Sequence, residues 1–286
     1  MFNGVETSTS DTSFCTRAHT FQYSSEAFED VKDISIVHER GRGIAWRIWP
    51  AAHILVEWLE KNKAVIKSEP THVVEIGAGV GMVGVCCAAL GADLVTLTDL
   101  DEALPALART AEANPGLSEK LRVARLFFGN KEDMRNVVQS TESRLIIVGS
   151  DLVYFESLFI PLAETMRELC YEYDAIVYLA YKKRIWKNEK RFFSKILEQH
   201  GLKAEVVFET IVEEQDGSSQ AADGRVQVAE GLIWNSRIFK ISRFEDNKDV
   251  SAPVVELVDE YDWSQYQQGW PSNKRPESSR GKVRSG

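Results

Sequence analysis

Cysteine is scarce in this 286-residue chain, and none of the four (Cys15, Cys86, Cys87, Cys170) forms a CxxC pair. Cys86 and Cys87 fall inside an apolar helical run, so buried thiols in a reducing compartment are expected rather than a disulfide framework. The five histidines are scattered, which leaves no metal-ligand spacing, and no metal is expected. No apolar run reaches the roughly 18 residues of a membrane span. An N-terminal apolar segment of the secretory kind is also missing. The expected location is the cytoplasm, with access to the nucleus and no membrane contact. Basic charge is short as well: Lys and Arg number 34 against 43 Asp and Glu, a net charge of −9. Nucleic-acid binders usually need a basic face, so nucleic acid is not an expected partner, whereas a basic protein segment is compatible. No internal repeat is apparent. The remainder is ordinary for a globular chain, 44% hydrophobic and 27% charged, and long enough for one well-buried domain with tails.

Residues 1–30 begin Ser- and Thr-rich without periodicity and are expected to form a mobile arm. A domain is expected over 31–244, opening with a hairpin strand around Ile34 and Ile36. Pro50 suits the first turn of a helix, and Ala52, Leu55, Val56 and Leu59 then recur at helical spacing. Strands are expected at 73–77, 94–98, 123–127, 145–149, 175–180, 204–211 and 238–242. Helices are expected at 80–90, 102–114, 131–138, 157–170 and 186–200, and a polar loop at 213–224. Continuous apolar runs such as Leu145-Ile146-Ile147-Val148 suit strands covered on both faces. The alternation predicts an α/β fold: a Rossmann-like, seven-stranded, mostly parallel sheet with helices on both faces. Ligands bind such sheets at the carboxyl ends of the strands. Residues 245–286 run acidic, then basic, and are expected to be largely disordered. Trp263, Tyr266 and Trp270 in that tail suit either packing back on the domain or docking a partner.

The densest motif is THVVEIGAGVGMVG at 71–84: an apolar strand, a glycine turn and the start of an apolar helix. Glycine lets the backbone approach a ligand closely, and the helix aims its N–H groups at whatever the turn holds. Counted from Gly79, the run through Gly81 and Gly84 satisfies GxGxxG, a weak dinucleotide signal alone. Counted from the expected strand end the first glycine is Gly77, the sixth position is Met82, and the pattern fails. Glu75, before that glycine, is poor company for a pyrophosphate and good company for a cation, which favours S-adenosylmethionine (SAM). The plainer alternative is a glycine-rich turn with a solvated glutamate. Asp99 closes the second core strand about 20 residues on, where a carboxylate accepts from ribose hydroxyls. Asp101 and Glu102 suit the N-terminus of the next helix. At the fourth strand end, Gly149-Ser150-Asp151-Leu152-Val153-Tyr154 offers an acid and an aromatic to hold an amine. The plainer alternative there is a helix cap with a packed tyrosine. Phe128, in Phe127-Phe128-Gly129, suits an adenine face or an ordinary core pair. Trp46 and Trp49 pose the same choice, with one of them expected to line the cofactor cleft.

Four blocks in order, Arg47-Ile48-Trp49-Pro50-Ala51-Ala52, Val74 to Gly84, Val95-Thr96-Leu97-Thr98-Asp99 and Gly149 to Tyr154, resemble the class I, seven-β-strand SAM-dependent methyltransferases. More narrowly, the chain resembles methyltransferase family 16, the lysine methyltransferase-like group acting on non-histone proteins. The resemblance runs from about Ile34 to Phe244. It implies that Trp49 lines the SAM pocket and that Gly77, Ala78 and Gly79 run under the methionine moiety with Glu75 nearby. It implies that Asp99 holds the ribose. Phe128 stands where the family usually has Trp, keeping a stacking face and losing the indole N–H; Ser150 stands where Ala is frequent. Asp151 and Tyr154 match the (Asp/Glu)-x-x-(Tyr/Phe) hallmark and would shape the lysine channel as the catalytic pair. The implied partner is a protein presenting a lysine, with translation factors and chaperones as the class; a monomer is expected. The competing readings are a methyltransferase for a small molecule or another protein residue, an NAD-linked oxidoreductase, and a catalytically silent SAM-fold scaffold.

Overall fold

The computed structural model describes residues 4–8, 18–39, 42–138, 143–183, 186–209 and 236–244. The C-terminal tail with Trp263, Tyr266 and Trp270, the 213–224 loop and Cys15 lie outside the described residues. Three antiparallel strands come first: β1 (Gly4–Ser8), β2 (Ala18–Ser24) and β3 (Asp33–Glu39), in that order. Next come α1 (Pro50–Lys61), α2 (Ala64–Lys67), β4 (Thr71–Glu75), α3 (Met82–Ala89), β5 (Leu94–Asp99) and α4 (Leu104–Glu112). The chain continues through β6 (Leu121–Arg125), α5 (Lys131–Val137), β7 (Arg144–Ser150), α6 (Phe159–Glu172) and β8 (Ile176–Lys182). It closes with α7 (Trp186–Arg191), a π turn (Phe192–Ile196), α8 (Leu197–Gln199), β9 (Leu202–Glu209) and β10 (Ser236–Arg243).

The seven later strands form the expected sheet, in the order β6-β5-β4-β7-β8-β10-β9. The pairs β6–β5, β5–β4, β4–β7 and β7–β8 are parallel; β8–β10 and β10–β9 are antiparallel. From β4 the chain winds first toward β6 and then, from β7, the other way. The crevice where direction reverses lies at the carboxyl ends of β4 and β7.

Period-two alternation sorts the central strands onto two cores. Val73, Ile146, Val148, Tyr178 and Ala180 face one side, where α1 and α3 pack. Val74, Leu145, Ile147, Val177 and Leu179 face the other, with α5 and α6. Every residue of α3 is buried, so this helix carries no polar stripe and sits as an inner layer. Pro50 starts α1 as expected, and Ala52, Leu55, Val56 and Leu59 are all buried. Cys86, Cys87 and Cys170 are buried free thiols. The helix expected over 186–200 contains the π turn: adjacent Phe192 and Phe193 both reach the core there, with Phe193 stacked on Phe239 at 3.9 Å.

The expected mobile arm needs correction. Inside its span, β2 pairs along its whole length with β3, and β1 pairs with β2. Apolar Ile34 and Ile36 are fully buried in the core, and the second edge of β3 is finished by side chains of α4 and the turn after it. Ser35 N–H donates to Asn114 Oδ1 at 2.8 Å, and Val37 N–H to Thr110 Oγ1 at 3.2 Å. Asn114 Nδ2 donates in turn to the Ser35 and Thr110 carbonyls, both at 2.7 Å. Alternate residues of a strand send their amides to the same edge, so a helix with polar groups one turn apart can finish that edge. The Ser- and Thr-rich composition concealed this, because the partners lie some 70 to 80 residues downstream, at separations of 73 and 79.

Replacing Asn114 with Ala strands the Ser35 amide and carbonyl at once. The expected loss is about 2 kcal/mol of stability, read by urea denaturation, with amide exchange accelerated in β2 and β3 and unchanged in β4.

Candidate active site

The strand expected to end at 77 stops at Glu75, which leaves Gly77 and Gly79 in a turn at the reversal crevice. Ile76 N–H still bonds the Val148 carbonyl at 2.9 Å, and Ala78 N–H the Thr98 carbonyl at 2.8 Å, so the turn is tied to both flanking strands. Gly77 and Gly79 sit at φ of +58° and +59°, the left-handed region that costs other residues about 1–2 kcal/mol. Space matters as much. A β-carbon at Gly77 would lie 2.6 Å from Leu152 Cδ2 and 3.5 Å from Phe128 Cζ. One at Gly79 would lie 3.2 Å from the Ala45 carbonyl oxygen. Three separate segments therefore close on the turn: the 42–49 loop, the loop after β6 and the segment after β7.

Glu75 is where the structure departs most from expectation. Its side chain is buried, and Oε2 accepts the Gly84 N–H at 2.7 Å, with a second backbone bond from Val83. It holds the first turn of α3 and does not face the open side of the glycine turn. The inference that its charge selects a cationic ligand does not survive. Burial pushes its carboxyl from the ordinary 4.5 up to about 8, against the two amide bonds that favour the ionised form.

Asp99 lies beside the glycine turn and is bonded to it. Its Oδ2 accepts the Gly79 N–H at 2.7 Å and Oδ1 the Leu100 N–H at 2.8 Å. Burial raises its pKa while both amides lower it. A carboxylate accepts at about four positions, so these bonds orient Asp99 without exhausting it. Asp101 and Glu102, expected at the helix start, do not cap α4, which begins after Ala103 with no side-chain cap. Asp101 instead pairs with Arg125 at 3.6 Å.

On the β7 side, Ser150 ends the strand in register with Ala180 of β8. Asp151 then turns left-handed at φ +62°. Its N–H donates to the Ala180 carbonyl at 2.9 Å and Oδ1 accepts the Lys182 N–H at 3.4 Å. A non-glycine residue held in this region is strain of the kind stored at functional sites. Asp151 is buried at 5% exposure and caps no helix. Tyr154 is half-buried with its ring 4.5 Å from that of Phe155, which is 43% exposed. Leu152, between them, is the side chain that fills the space over Gly77. The two halves of the motif set are thus one packed unit.

Phe128 lies past the end of β6, on a loop fastened at three points. Leu126 N–H bonds the Asp99 carbonyl at 2.9 Å, Phe127 N–H bonds Asp133 Oδ2 at 2.9 Å, and Gly129 N–H bonds Thr165 Oγ1 at 2.8 Å. Trp49 is half-buried, with Nε1 donating to the Ile44 carbonyl at 3.0 Å and the Arg47 guanidinium 4.5 Å from its ring. Trp46 is the core member of the pair, at 7% exposure. Leu152, Asp133 and Thr165 went unnoticed in the sequence. Only the left-handed glycine could have pointed to Leu152, and nothing local marks the other two. Among the described residues, no group of three His, Cys, Asp or Glu is arranged to hold a metal ion.

The turn sets two left-handed glycines, an oriented carboxylate and an aromatic ring side by side. A family model described as lysine methyltransferase matches residues 28–199, from before β3 to the end of α8. The mouse protein named EEF1A lysine methyltransferase 3 is 34% identical over 170 residues, covering 59% of this chain and 69% of that protein. The zebrafish (Danio rerio) protein N-lysine methyltransferase METTL21A is 33% identical over 156 residues, covering 54% and 67%. The Saccharomyces cerevisiae protein-lysine N-methyltransferase EFM6 is 29% identical over 174 residues, covering 54% and 70%.

The raised Glu75 carboxyl has a definite signature. Its folded pKa of about 8 exceeds the ordinary 4.5, so its contribution is complete below the ordinary value and lost as pH rises through the folded one. Denaturation of the native protein and of Glu75→Gln, compared across that window, should show the native protein losing stability relative to the variant as pH rises. A pH-independent difference would mean that the buried group is already ionised at the low end.

Proposed function

The chain belongs to the lysine methyltransferase family, and from that premise we propose that it transfers the SAM methyl group to a lysine ε-amine of a non-histone protein. The observation that carries the reading is the contact between the two half-sites. Leu152, flanked by Asp151 and Tyr154, packs on Gly77, so a donor on the glycine turn and an acceptor at Asp151 meet at adjacent positions.

SAM supplies, when bound, a methyl group activated by its cationic sulfur. Everything else falls to the protein, and it is mainly alignment. Gly77, Ala78 and Gly79 would run beneath the methionine portion, Asp99 would accept from the ribose, Phe128 would offer a face to the base and Trp49 would line the pocket. Ser150 borders the passage between donor and acceptor. Asp151 holds the incoming amine, with its carboxylate fixed by the Lys182 amide, and Tyr154 walls the channel. A lysine must lose its proton to attack, against a reference pKa of about 10.4. The cationic sulfur of bound SAM would disfavour a second charge beside it, whereas Asp151 favours the charged amine. Asp151 is therefore assigned binding and orientation, not proton abstraction. The named activity of the mouse relative makes an elongation factor of the EEF1A type the first protein to assay.

The purified protein is expected to bind SAM and its demethylated product by calorimetry, and to label lysines of lysate protein from tritiated SAM, with the sites read by mass spectrometry. Labelled metabolites without labelled protein would overturn the lysine reading. Asp151→Asn tolerates the left-handed backbone and removes the charge. It should keep SAM affinity within about twofold and cut transfer by about 100-fold, the scale of a misplaced reactant. Normal turnover of this variant would remove Asp151 from the mechanism.

A further inference from the structure

The 42–49 loop presses on the glycine turn, and what holds that loop down lies outside the motifs. Glu39, at the end of β3, has a side chain only 4% exposed. It accepts from Arg42 at 3.1 and 3.3 Å, and from Arg109 of α4. Both guanidiniums also reach the ring of Trp46, at 3.9 Å for Arg42 and 5.2 Å for Arg109, within cation–π range. Trp46 N–H bonds the Gly43 carbonyl at 3.4 Å, and the residue before it, Ala45, is the one whose carbonyl oxygen meets Gly79. Gly79 in turn donates to Asp99.

We propose that Glu39, Arg109 and Trp46 form a latch that seats the 42–49 loop on Gly79, making Arg109 a positioning residue for SAM binding. This rests on the SAM reading above. The latch ties the 42–49 loop to the helix that follows Asp99. Asp99 leads directly into the segment that starts α4, and Arg109 projects from that same helix, so ribose carboxylate and loop are referred to one rigid element. A buried carboxylate left with fewer cations is strongly disfavoured, so removing the Arg109 charge releases Glu39 and Trp46 from the helix. The loop then loses its register over Gly79. Asn114 and Thr110 serve as an internal contrast. They anchor β3 to the C-terminal part of the same helical segment through Ser35 and Val37.

The test uses the full chain and calorimetric titration with SAM and with its demethylated product. Arg109→Gln is expected to weaken both by about tenfold, equivalent to about 1.4 kcal/mol. Its rate of tritium transfer to lysate protein at saturating SAM should stay within about twofold of native, the mark of a binding effect. Arg109→Lys, which keeps the charge without the planar fork, should recover most of the affinity. Asn114→Ala should lower stability and leave both dissociation constants within about twofold. Unchanged affinity in Arg109→Gln overturns the latch, as does an equal loss in Asn114→Ala. Should Arg109→Gln not fold, Glu39→Gln carries the same expectation and the same refutation. Failure of the native protein to bind either ligand refutes the SAM reading itself, a result distinct from all of these.

Discussion

The Leu152 side chain occupies the volume that a β-carbon on Gly77 would need, 2.6 Å away, and the left-handed backbone of Gly77 opens that volume. Much else follows from this close approach. It lies just past the paired ends of β4 and β7, where the sheet reverses direction. It brings the segment holding Asp151 and Tyr154 against the turn, although the two are separated by α3, α4, α5 and three strands in the chain. It also draws Phe128 to the same glycine from the other side. The glycine turn and the segment carrying Asp151 and Tyr154 are one packing arrangement.

Backbone amides orient the carboxylates around that arrangement. Glu75 is satisfied by two amides of α3, Asp99 by the amides of Gly79 and Leu100, and Asp151 by the amide of Lys182. Amides fix a carboxylate in direction without neutralising it. Full cationic pairing appears one layer out, where Glu39 meets Arg42 and Arg109.

The sheet was legible because its strands are continuous apolar runs and its helices keep a clear period. Val73 and Val74 already announce two cores on two faces. Asp99 was legible from its distance to the glycine turn, and Asp151 from its place at a strand end. Glu75 was misread because the same sequence serves a carboxylate facing a ligand and one capping a buried helix; only the side-chain direction distinguishes them. The strand at Ile34 and Ile36 was expected, whereas β1 and β2 were missed for a different reason. Polar residues in β2 mimic a solvated arm when the helix that completes the hairpin is far along the chain. Thr165 and Asp133 belong to the same class: a single side chain bonding a remote amide leaves no periodic trace.

The separations across the β3–α4 seam run from 70 to 79 residues, and they impose an order of assembly. A hairpin whose outer edge has no neighbour is marginal alone, and closing a long loop costs entropy before its contacts return anything. As the chain emerges from the ribosome, β2 and β3 precede Thr110 and Asn114, the side chains that finish their outer edge. The 42–49 loop, tied to both, waits with them. The part of the ligand site nearest the N-terminus is therefore finished only after the two central strands, β4 and β5, and helix α4 exist. The birth order of these residues is the reverse of their order of settling.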